Sequence, residues 1–464
     1  MPIESGDPTV LPPTQAGRAP APPVGDQDPA HPPRVGPSFT RQTWLDTLQA
    51  WQPRADRRIL AALVVAMLLL AATPVANAVR GRCQYDYNLW YVTAQDYLHH
   101  RPIYPHIVGF PFNYPPSAAA MLAVPVLLGK AMFVLVLTAV NSAAWFASVV
   151  LTVWLATGRV TRQHPLLVLL PNLAMAYWIR DTYKLGQPAL VLLALVLGAA
   201  VCLRRRRPTL AGALIATAAA IKAYPVLAVG YLAYRRHWRA TAAALVALAG
   251  WLFVLPLAFR PPDTVFDDLT AWTQGVVLKY DARSISQRGT QGYSFRNQSI
   301  VGVANRLLRP VSADSEGDSA WTVNLASLGF GTVNLVILAS MLGLGLFFLW
   351  CTPRDPLRTS GSDAIEWAML LLLVVMVAPL SLDYSYVWLL YPLGVATALL
   401  LEAAQEFRPR RGLLWWVAAS LLVHALTLPM HHAAGAYGNI FFSGLILFVG
   451  LGLTLRQMTV GQQA

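Results

Sequence analysis

The chain has 464 residues, of which 56% are hydrophobic and only 12% are charged. Soluble domains carry about 25% charged residues, so this composition excludes an ordinary soluble protein. The formal net charge of +13 does not indicate a nucleic-acid partner, because the basic excess lies in short clusters beside apolar segments, such as RRRR at 204–207. Such clusters are typical of the cytoplasmic ends of membrane spans.

Residues 1–41 contain eleven prolines and almost no aromatic residue. A segment of this composition cannot bury a core, so it predicts a disordered cytoplasmic tail. Acidic residues and prolines interrupt the segment, and it lacks the continuous apolar core of a signal peptide. The stretch FTRQTWLDTLQAW, residues 39–51, is expected to lie on the membrane surface as a helix before the first span.

Apolar segments long enough to cross about 30 Å of hydrocarbon recur along the rest of the chain. They predict an all-α polytopic membrane protein with a single transmembrane domain over residues 42–460. With about twelve crossings, both termini lie in the cytoplasm. The predicted crossings are 59–79, 131–156, 165–179, 187–203, 208–222, 223–235, 239–259, 323–350, 363–380, 384–402, 412–429 and 438–456.

Residues 114–129 are also apolar enough to cross, but a full span there would place the basic cluster 204–207 outside. We therefore expect a short re-entrant or interfacial helix on the outer side. Segments 208–222 and 223–235 are short for spans and meet at IKAYP. Discontinuous helices of this kind usually line a protein-buried cavity rather than facing lipid.

Under this topology the outer side of the plasma (inner) membrane, periplasmic or extracellular, receives two long loops, 80–115 and 260–322. Both are rich in Tyr, Trp, Arg and Asn, whereas the inner loops are short and basic. The functional chemistry is therefore expected at the outer face. The outer aromatic residues either contact a substrate or form an interfacial belt.

Asp86 follows the first span in GRCQYDYNLWYVTAQDYLHH. One interpretation makes Asp86 or Asn88 the N-cap of an amphipathic surface helix. The other makes Asp86 a general base, a carboxylate held at the membrane interface to deprotonate an acceptor hydroxyl. The two interpretations are compatible, because a residue at a helix start can also face a cavity.

Cationic side chains collect on the predicted outer side, against the positive-inside trend. An anion such as a lipid phosphate would attract them through charge-assisted hydrogen bonds. The alternative for each one alone is that it extends to the headgroup region of the membrane. These residues are Arg80, Arg82, Arg180, Lys184, Lys222, Arg296 and Arg306.

Five ordered motifs together resemble the GT-C membrane glycosyltransferases of glycosyltransferase family 87, which includes polyprenol-phosphate-mannose-dependent α-1,2-mannosyltransferases of mycobacteria. The resemblance runs from the first span to about residue 400. It is carried by YDYNLWYVTAQDYLHHRPIY…FNYPPSAAAMLAVP, KLGQPALVLL, AIKAYPVLAV, RNQSIVGVANRLL and APLSLDYSYVWLLYPL.

The resemblance implies a GT-C fold, a polyprenyl-phosphate sugar as donor, and a lipid-linked or cell-envelope glycan as acceptor. It implies that Asp86 is the catalytic base. The outer lysine of the family falls on Lys222 and its Gly-Gln pair on Gly186 and Gln187. Its N-x-S element falls on Asn297 and Ser299.

One departure puts mannose and the acceptor in question. The mannosyltransferases carry histidines on the outer side where this chain has Tyr384 and Ser385, preceded by Asp383. Tyrosine and aspartate differ from histidine in charge and reach. His431 and His432 lie on the same predicted side and could substitute in space, although an ordinary interfacial pair is the simpler interpretation.

The mechanism expected from these residues is a single displacement with inversion, in which Asp86 activates the acceptor hydroxyl. Lys222 and Arg296, with Lys184 and Arg180 behind them, would stabilise the departing phosphate. Tyr114 is an aromatic candidate for contact with the substrate. No phosphate-cradling Gly-rich loop occurs in the usual context, and neither a cofactor nor a metal is expected to be required.

The main alternative is a transporter or lipid flippase without chemistry. Transporters tend to contain internal repeats and midplane broken helices, and no convincing repeat relates residues 59–260 to 323–456. A structural or interaction protein would leave the acid and cations at the outer face unexplained. Loss of sugar transfer on substitution of Asp86 would separate the enzyme from both.

Overall fold

The computed structural model describes residues 41–104, 112–160, 163–286, 290–314, 321–354, 357–405 and 411–460. The chain divides into two units, Met1–Ala50 and Trp51–Ala464. Of the first unit only the helical backbone of residues 41–50 is described, so the tail predicted to be disordered lies outside the described residues except for its last position.

Within these ranges the regular structure is helical, apart from two isolated bridges, Tyr280–Ile285 and Asn297–Leu382. This confirms the predicted all-α class. The helices are α1 Arg41–Val79, α2 Tyr85–Leu98, α3 Pro116–Leu122, α4 Lys130–Thr157, α5 Leu166–Ala174, α6 Ala176–Leu185, α7 Ala189–Arg204, α8 Pro208–Ile221, α9 Leu227–Tyr234, α10 Trp238–Ala249, α11 Leu255–Leu257, α12 Pro262–Trp272, α13 Ile300–Leu308, α14 Phe330–Cys351, α15 Ser360–Val377, α16 Leu390–Gln405, α17 Arg411–Ala425, α18 Thr427–Ala436 and α19 Asn439–Val460.

Seven helical segments of the described chain are long and apolar enough to cross a membrane. Two further bent pairs raise the number to nine if each counts as one span: α6 with α7, bent by 116°, and α17 with α18, bent by 86°. The chain is therefore a multi-pass membrane protein. The seven segments are Arg57–Val79, Lys130–Thr157, Trp238–Leu257, Phe330–Cys351, Ser360–Val377, Asp383–Glu402 and Asn439–Val460.

Several predicted crossings are broken or short in the structure. Segment 165–179 is divided between α5 and α6, which separate at Met175. Helix α8 has 14 residues, about 21 Å at 1.5 Å per residue, which is less than the hydrocarbon thickness. Helix α1 includes residues 41–51 of the stretch 39–51, which was expected to form a separate interfacial helix; residues 39 and 40 lie outside the described residues.

Charged and polar groups lie at both ends of the helix bundle. At one end, Arg204 at the end of α7 donates to the carbonyls of Leu155, 2.7 Å away, and Ser360, 2.5 Å away. At the other end, the Trp388 indole donates to the carbonyl of Ala189, the first residue of α7. The predicted site residues gather at this second end. Trp388 itself is buried.

The segment 80–115 contains helix α2, which packs on α3 and on the turn between α6 and α7. The N-cap of α2 is Gln84, so Asp86 lies in the first helical turn and is not the N-cap. This corrects the capping interpretation of Asp86. Asn88 is not the cap either, since it lies inside the helix and accepts a hydrogen bond from Lys130 Nζ at 3.3 Å.

The second long loop, 260–322, also contains helices. Helix α12 follows Arg260, and α13 begins after Ser299, whose hydroxyl accepts the Gly302 amide at 3.0 Å as an N-cap. The Arg260 guanidinium joins α12 to α2, because it pairs with Asp268 at 2.7 Å and donates to the Tyr97 carbonyl at 2.9 Å.

Candidate functional site

The Asp86 carboxylate contacts two side chains that arrive from distant parts of the sequence. Its Oδ2 accepts a hydrogen bond from the Gln187 side-chain amide, and the Tyr114 hydroxyl lies 3.4 Å away. The same hydroxyl is 3.0 Å from Gln187 Oε1. Asp86 is half-buried, whereas Tyr114 and Gln187 are buried. The three residues therefore form one polar cluster at the start of α2.

Helix α2 holds the turn that carries Gln187. Gly186 ends α6 in the left-handed conformation, with φ +78°. The Tyr87 ring lies where a Cβ on Gly186 would stand, with its nearest atom 2.9 Å from that position. The Trp90 indole donates to the Gly186 carbonyl at 3.1 Å, and the Tyr87 hydroxyl donates to the Tyr183 carbonyl at 2.9 Å. Only glycine fits this position, both for its φ and for the space.

Lys222 also lies close to Tyr114. It follows α8 with an extended backbone, φ −150° and ψ 129°, at the junction that the sequence identified as broken. Its ammonium nitrogen is 5.1 Å from the ring centre of Tyr384, 5.6 Å from that of Tyr114 and 5.7 Å from that of Tyr224. Aromatic faces attract a cation at these distances. Tyr114 therefore joins the carboxylate of Asp86 to the cation of Lys222.

Arg296 forms a second polar cluster with acidic residues. Its guanidinium is 3.0 Å and 3.1 Å from the two carboxylate oxygens of Asp383, and 3.3 Å from Asp181 Oδ2. His431 Nε2 lies 3.2 Å from Asp383 Oδ2. Burial opposes the charge on Arg296, but its interactions with Asp383, Asp181 and Tyr384 together outweigh that effect, so the pKa of Arg296 is raised above its ordinary value. Arg296 is therefore a cation already balanced by carboxylates.

Tyr384 separates the two clusters. Its ring lies 5.1 Å from Lys222 Nζ and 6.0 Å from the Arg296 guanidinium. The segment that differs from the histidine pattern of the family thus supplies Asp383 to one cluster and Tyr384 to both. The neighbouring His432 does not contact Asp383; it stacks on Phe295, with ring centres 4.4 Å apart.

Asn297 and Ser299 bind main-chain groups rather than facing the two clusters. The Asn297 amide donates to the carbonyls of Gly292, at 2.8 Å, and Pro379, at 3.1 Å. The Ser299 hydroxyl donates to the same Pro379 carbonyl at 2.9 Å. Both residues are fully buried. Their hydrogen bonds fasten the segment that carries Arg296 to the segment that carries Asp383.

Arg306, expected from the sequence to attract an anion, is instead fully buried among carbonyl groups. This is a correction: five main-chain carbonyls surround the guanidinium and occupy its donors. Burial lowers the pKa of Arg306, but carbonyl acceptors favour the charged form. The acceptors are Ser294 at 2.6 Å, Ala436 and Asn297 at 2.8 Å, Gly435 at 3.1 Å and Tyr293 at 3.3 Å.

Arg180 and Lys184 do not join Lys222. They are exposed residues of α6 that line a separate cavity of about 180 Å³, together with Arg82. Lys222 and Arg296 do not line this cavity. The structure thus divides the four predicted phosphate-binding cations into three places.

Asp181, although part of the RDTYKLGQ motif, was not chosen from the sequence as a site residue, yet it pairs with Arg296. Tyr224 was missed as a partner of Lys222. The signal for Tyr224 was its place in IKAYP, two residues after the lysine. For Asp181 the signal was an acidic residue six positions before Gln187, between the cations Arg180 and Lys184.

The chain is similar in sequence to known glycosyltransferases. The profile of glycosyltransferase family 87 matches residues 112–382, which include Tyr114, Gln187, Lys222 and Arg296. The chain is 28% identical over 382 residues to the polyprenol-phosphate-mannose-dependent alpha-(1-2)-phosphatidylinositol mannoside mannosyltransferase of Mycolicibacterium smegmatis, covering 75% of this chain and 76% of that relative. Because the family match spans more than half of its residues, the chain belongs to glycosyltransferase family 87 and is a membrane glycosyltransferase.

Proposed function

We propose that the protein transfers a hexosyl unit, with mannose as the first candidate, from a polyprenyl-phosphate-linked sugar to a hydroxyl of a lipid- or glycan-linked acceptor. Asp86 acts as the general base, and the anomeric centre is inverted. The observation that carries the proposal is that Tyr114 contacts both a carboxylate and a cation: its hydroxyl lies 3.4 Å from Asp86 Oδ2, and its ring centre lies 5.6 Å from Lys222 Nζ.

The contacts of Asp86 suit a base. Its Oδ2 accepts from the Gln187 amide, and the Tyr114 hydroxyl is also within 3.4 Å. Donors of this kind favour the ionised carboxylate and fix its direction. A half-buried carboxylate that is held in this way can accept the proton of a bound hydroxyl as the hydroxyl attacks the sugar.

Lys222 suits the leaving group. The donor has one negative charge on its phosphodiester, and the phosphate gains a second charge when the sugar departs. A cation placed in advance stabilises that developing charge without reorganisation. The ammonium group lies within 5.1–5.7 Å of the ring centres of Tyr384, Tyr114 and Tyr224, which hold it at the cluster.

The reaction balances as a single displacement. The acceptor oxygen forms a bond to the anomeric carbon, and the bond from that carbon to the phosphate oxygen breaks. The hydroxyl proton passes to Asp86, and the electron pair leaves with the polyprenyl phosphate. In this proposal cationic side chains supply the charge stabilisation, so neither a nucleotide nor a metal ion takes part.

Arg296 has a different role in this proposal from the one expected from the sequence. Two carboxylates already balance its charge, so it organises Asp383 and Asp181 rather than acting as the principal phosphate partner. Asp383 and His431 then present acceptor and donor atoms next to Tyr384, which stands at a position of the family histidines. These atoms are suited to sugar hydroxyls, and they are where sugar selection would occur.

The fold proposed from the family is GT-C, with about twelve crossings as a single domain over residues 42–460. The proposed topology places Asp86 on the periplasmic or extracellular side of the plasma membrane, with both termini in the cytoplasm. It rests on the basic clusters, such as 204–207, at the bundle end opposite Asp86. A transporter or flippase without chemistry is the alternative, but family membership favours the enzyme.

The test is sugar transfer by reconstituted protein, with membrane lipid extract as acceptor and a panel of radiolabelled polyprenyl-phosphate sugars as donors. Asp86→Asn should reduce transfer by about 10²-fold or more, because it removes the base. Asp96→Asn, on the same helix but partly exposed and paired with Arg101, is the matched control and should retain transfer. Wild-type transfer rates in Asp86→Asn would make the assignment of the base wrong.

A further inference from the structure

A second cationic site lies beside the first turn of α2. The cavity of about 180 Å³ is lined by the side chains of Arg82, Arg180 and Lys184. Of the described residues that line it, none is acidic. The remaining lining residues are Thr73, Pro74, Asn77, Cys83, Gln84, Tyr85, Tyr87 and Val134.

Three parts of the chain bring these cations together. Arg180 and Lys184 are four residues apart on α6 and so lie on one face of the helix. Arg82 comes from the short connection between α1 and α2. Lys184 Nζ is 5.5 Å from the ring centre of Tyr85, which holds the ammonium near the cavity. Three positive charges on a small concave surface favour an anion.

The volume of the cavity limits the size of the group that can bind in it. Sites for whole organic ligands usually measure about 300–1,000 Å³. A volume of about 180 Å³ fits one small charged group, such as a phosphate, while the rest of the molecule extends outside. Guanidinium and ammonium groups together suit phosphate oxygens, because arginine donates two parallel hydrogen bonds and lysine adds a point charge.

The flank of the cavity is apolar. Helix α1, which supplies Thr73, Pro74 and Asn77, has large exposed apolar side chains along its spanning part, including Leu68 at 66% and Leu69 at 67% exposure. Met132 of α4 is also exposed, two residues from the cavity residue Val134. A molecule whose phosphate lies in the cavity can therefore keep acyl chains against these helices.

Asp86 is not a lining residue, but both of its chain neighbours, Tyr85 and Tyr87, are. A phosphate in the cavity thus lies beside the base, across one turn of α2. In the proposed function the donor phosphate instead lies opposite the attacking hydroxyl, and Lys222 is its cation. The cavity therefore corresponds to the substrate that brings the hydroxyl rather than the one that brings the sugar.

We propose that this cavity binds the phosphodiester of the acceptor, a glycosylated glycerophospholipid, and so presents the glycan head to Asp86. This inference rests on the proposed function for the order of reaction, but the binding itself does not require catalysis. Arg82, Arg180 and Lys184 are acceptor-binding residues, and Lys222 belongs to the donor.

The experiment uses the full-length protein in detergent and native mass spectrometry. The probes are dioleoyl-phosphatidylinositol and dioleoylglycerol, which share their acyl chains but differ in the phosphate. The wild type should retain phosphatidylinositol at least about tenfold more strongly than dioleoylglycerol, the equivalent of about 1.4 kcal/mol. The triple variant Arg82→Ala, Arg180→Ala and Lys184→Ala should lose that preference.

Arg80→Ala is the matched control, because Arg80 is an exposed cation of the same connection and does not line the cavity. It should keep the preference, as should the charge-conserving variant Arg82→Lys with Arg180→Lys. Equal retention of phosphatidylinositol by the wild type and the triple variant would overturn the proposal. Displacement of the lipid by an equal concentration of inorganic phosphate would also overturn it, since the cavity would then be a free-anion site.

Two further measurements separate this inference from the proposed function. Asp86→Asn should bind phosphatidylinositol as the wild type does, so a failed transfer assay leaves the binding result intact. In the active enzyme, the triple variant should raise the KM for the acceptor by about tenfold and leave the KM for the polyprenyl-phosphate donor unchanged. A rise confined to the donor KM would assign the cavity to the donor and contradict the proposal.

Discussion

The side-chain amide of Gln187 donates a hydrogen bond to the carboxylate of Asp86, although the two residues are 101 positions apart. The contact joins the first turn of α2 to the turn between α6 and α7. Gln187 therefore both supplies a donor to the proposed base and ties together two helices that the chain order separates.

We expect Gln187→Glu to move the pH dependence of sugar transfer to higher pH. A second carboxylate beside Asp86 disfavours the ionised base by like-charge repulsion. Gln187→Leu should lower kcat by about tenfold and displace the profile to higher pH by less than Gln187→Glu does, since it removes a donor but adds no charge. The measurement is a pH–rate profile for both variants. Identical profiles for Gln187→Glu and the wild type would show that Asp86 does not titrate in the rate-determining step.

Lys222→Ala is expected to lower kcat by about 10²-fold or more, because the developing phosphate charge loses its cation. Lys222→Arg should retain part of the activity. Lys279→Ala is the control, since Lys279 is half exposed and pairs with Asp281. Transfer by the wild type should also persist in excess chelator, as the proposal assigns charge stabilisation to side chains. Loss of activity on chelation would contradict that assignment.

Gly186→Ala should disrupt the site through two effects. The residue has φ +78°, which costs an alanine about 1 kcal/mol, and the new methyl group meets the Tyr87 ring. Gly158→Ala is a close control: Gly158 has φ +76° but no atom within 4 Å of the added Cβ, so it carries the backbone strain alone. Thermal unfolding and transfer assays should both decline more for Gly186→Ala. Equal declines would show that the contact with Tyr87 is unimportant.

Arg306→Met is expected to destabilise the fold by about 3 kcal/mol or more, because five carbonyl groups lose their donors inside the protein. Arg306→Lys keeps the charge but supplies at most three donors, so it should be intermediate. The control is Arg283→Met, an exposed arginine in the same region. Thermal unfolding in detergent measures all three. An unfolding temperature for Arg306→Met equal to that of the control would refute the role of this arginine.

Asp268 predicts a pH dependence of stability. Burial, only partly opposed by Arg260, raises the pKa of Asp268 to about 6 in the folded protein. The folded state therefore binds this proton more tightly than the unfolded state does. The resulting stabilisation is full below a pH of about 4 and is lost as the pH rises through about 6.

The measurement is the unfolding temperature of the wild type and of Asp268→Asn between pH 4 and pH 7. This range includes the ordinary pKa of an aspartate, about 4, and the raised pKa of Asp268 in the folded protein, about 6. The wild type should lose stability relative to the variant as the pH rises across this window. The difference between the unfolding temperatures of the two proteins separates the contribution of Asp268 from that of the other carboxylates. A constant difference between the two proteins would show that Asp268 does not change its protonation on unfolding.

The apolar helices were the most predictable part of the fold. The predicted crossings 363–380 and 438–456 correspond to α15 and α19 within a few residues. A long apolar run must satisfy its own backbone in a membrane, so composition alone decides that it is helical. Breaks were less predictable: the chain separates α5 from α6 at Met175, where no glycine indicates it, although Pro171 lies one turn earlier inside α5.

The candidate site was predictable where one motif carried the signal. Asp86, Gln187 and Lys222 lie in short patterns, and the structure brings them together around Tyr114. The contact between His431 and Asp383 joins residues 48 positions apart, and no local pattern records it. The sequence around Arg306 is compatible with a surface cation. The carbonyl groups that surround Arg306 come from several parts of the chain, so only the tertiary structure shows its burial.

Main-chain hydrogen bonds unite the segments that carry Arg296 and Asp383. The Asp383 amide donates to the Arg296 carbonyl at 2.8 Å, and the Gln298 amide donates to the Ser381 carbonyl at 2.8 Å. These hydrogen bonds couple the two backbones, so a substrate that displaced one segment would also displace the other. In the described part of the chain, the first turn of α2 contacts Tyr114 and Gln187 through side chains, so this part of the site can adjust by side-chain rotation while the backbones of the other two segments stay bonded.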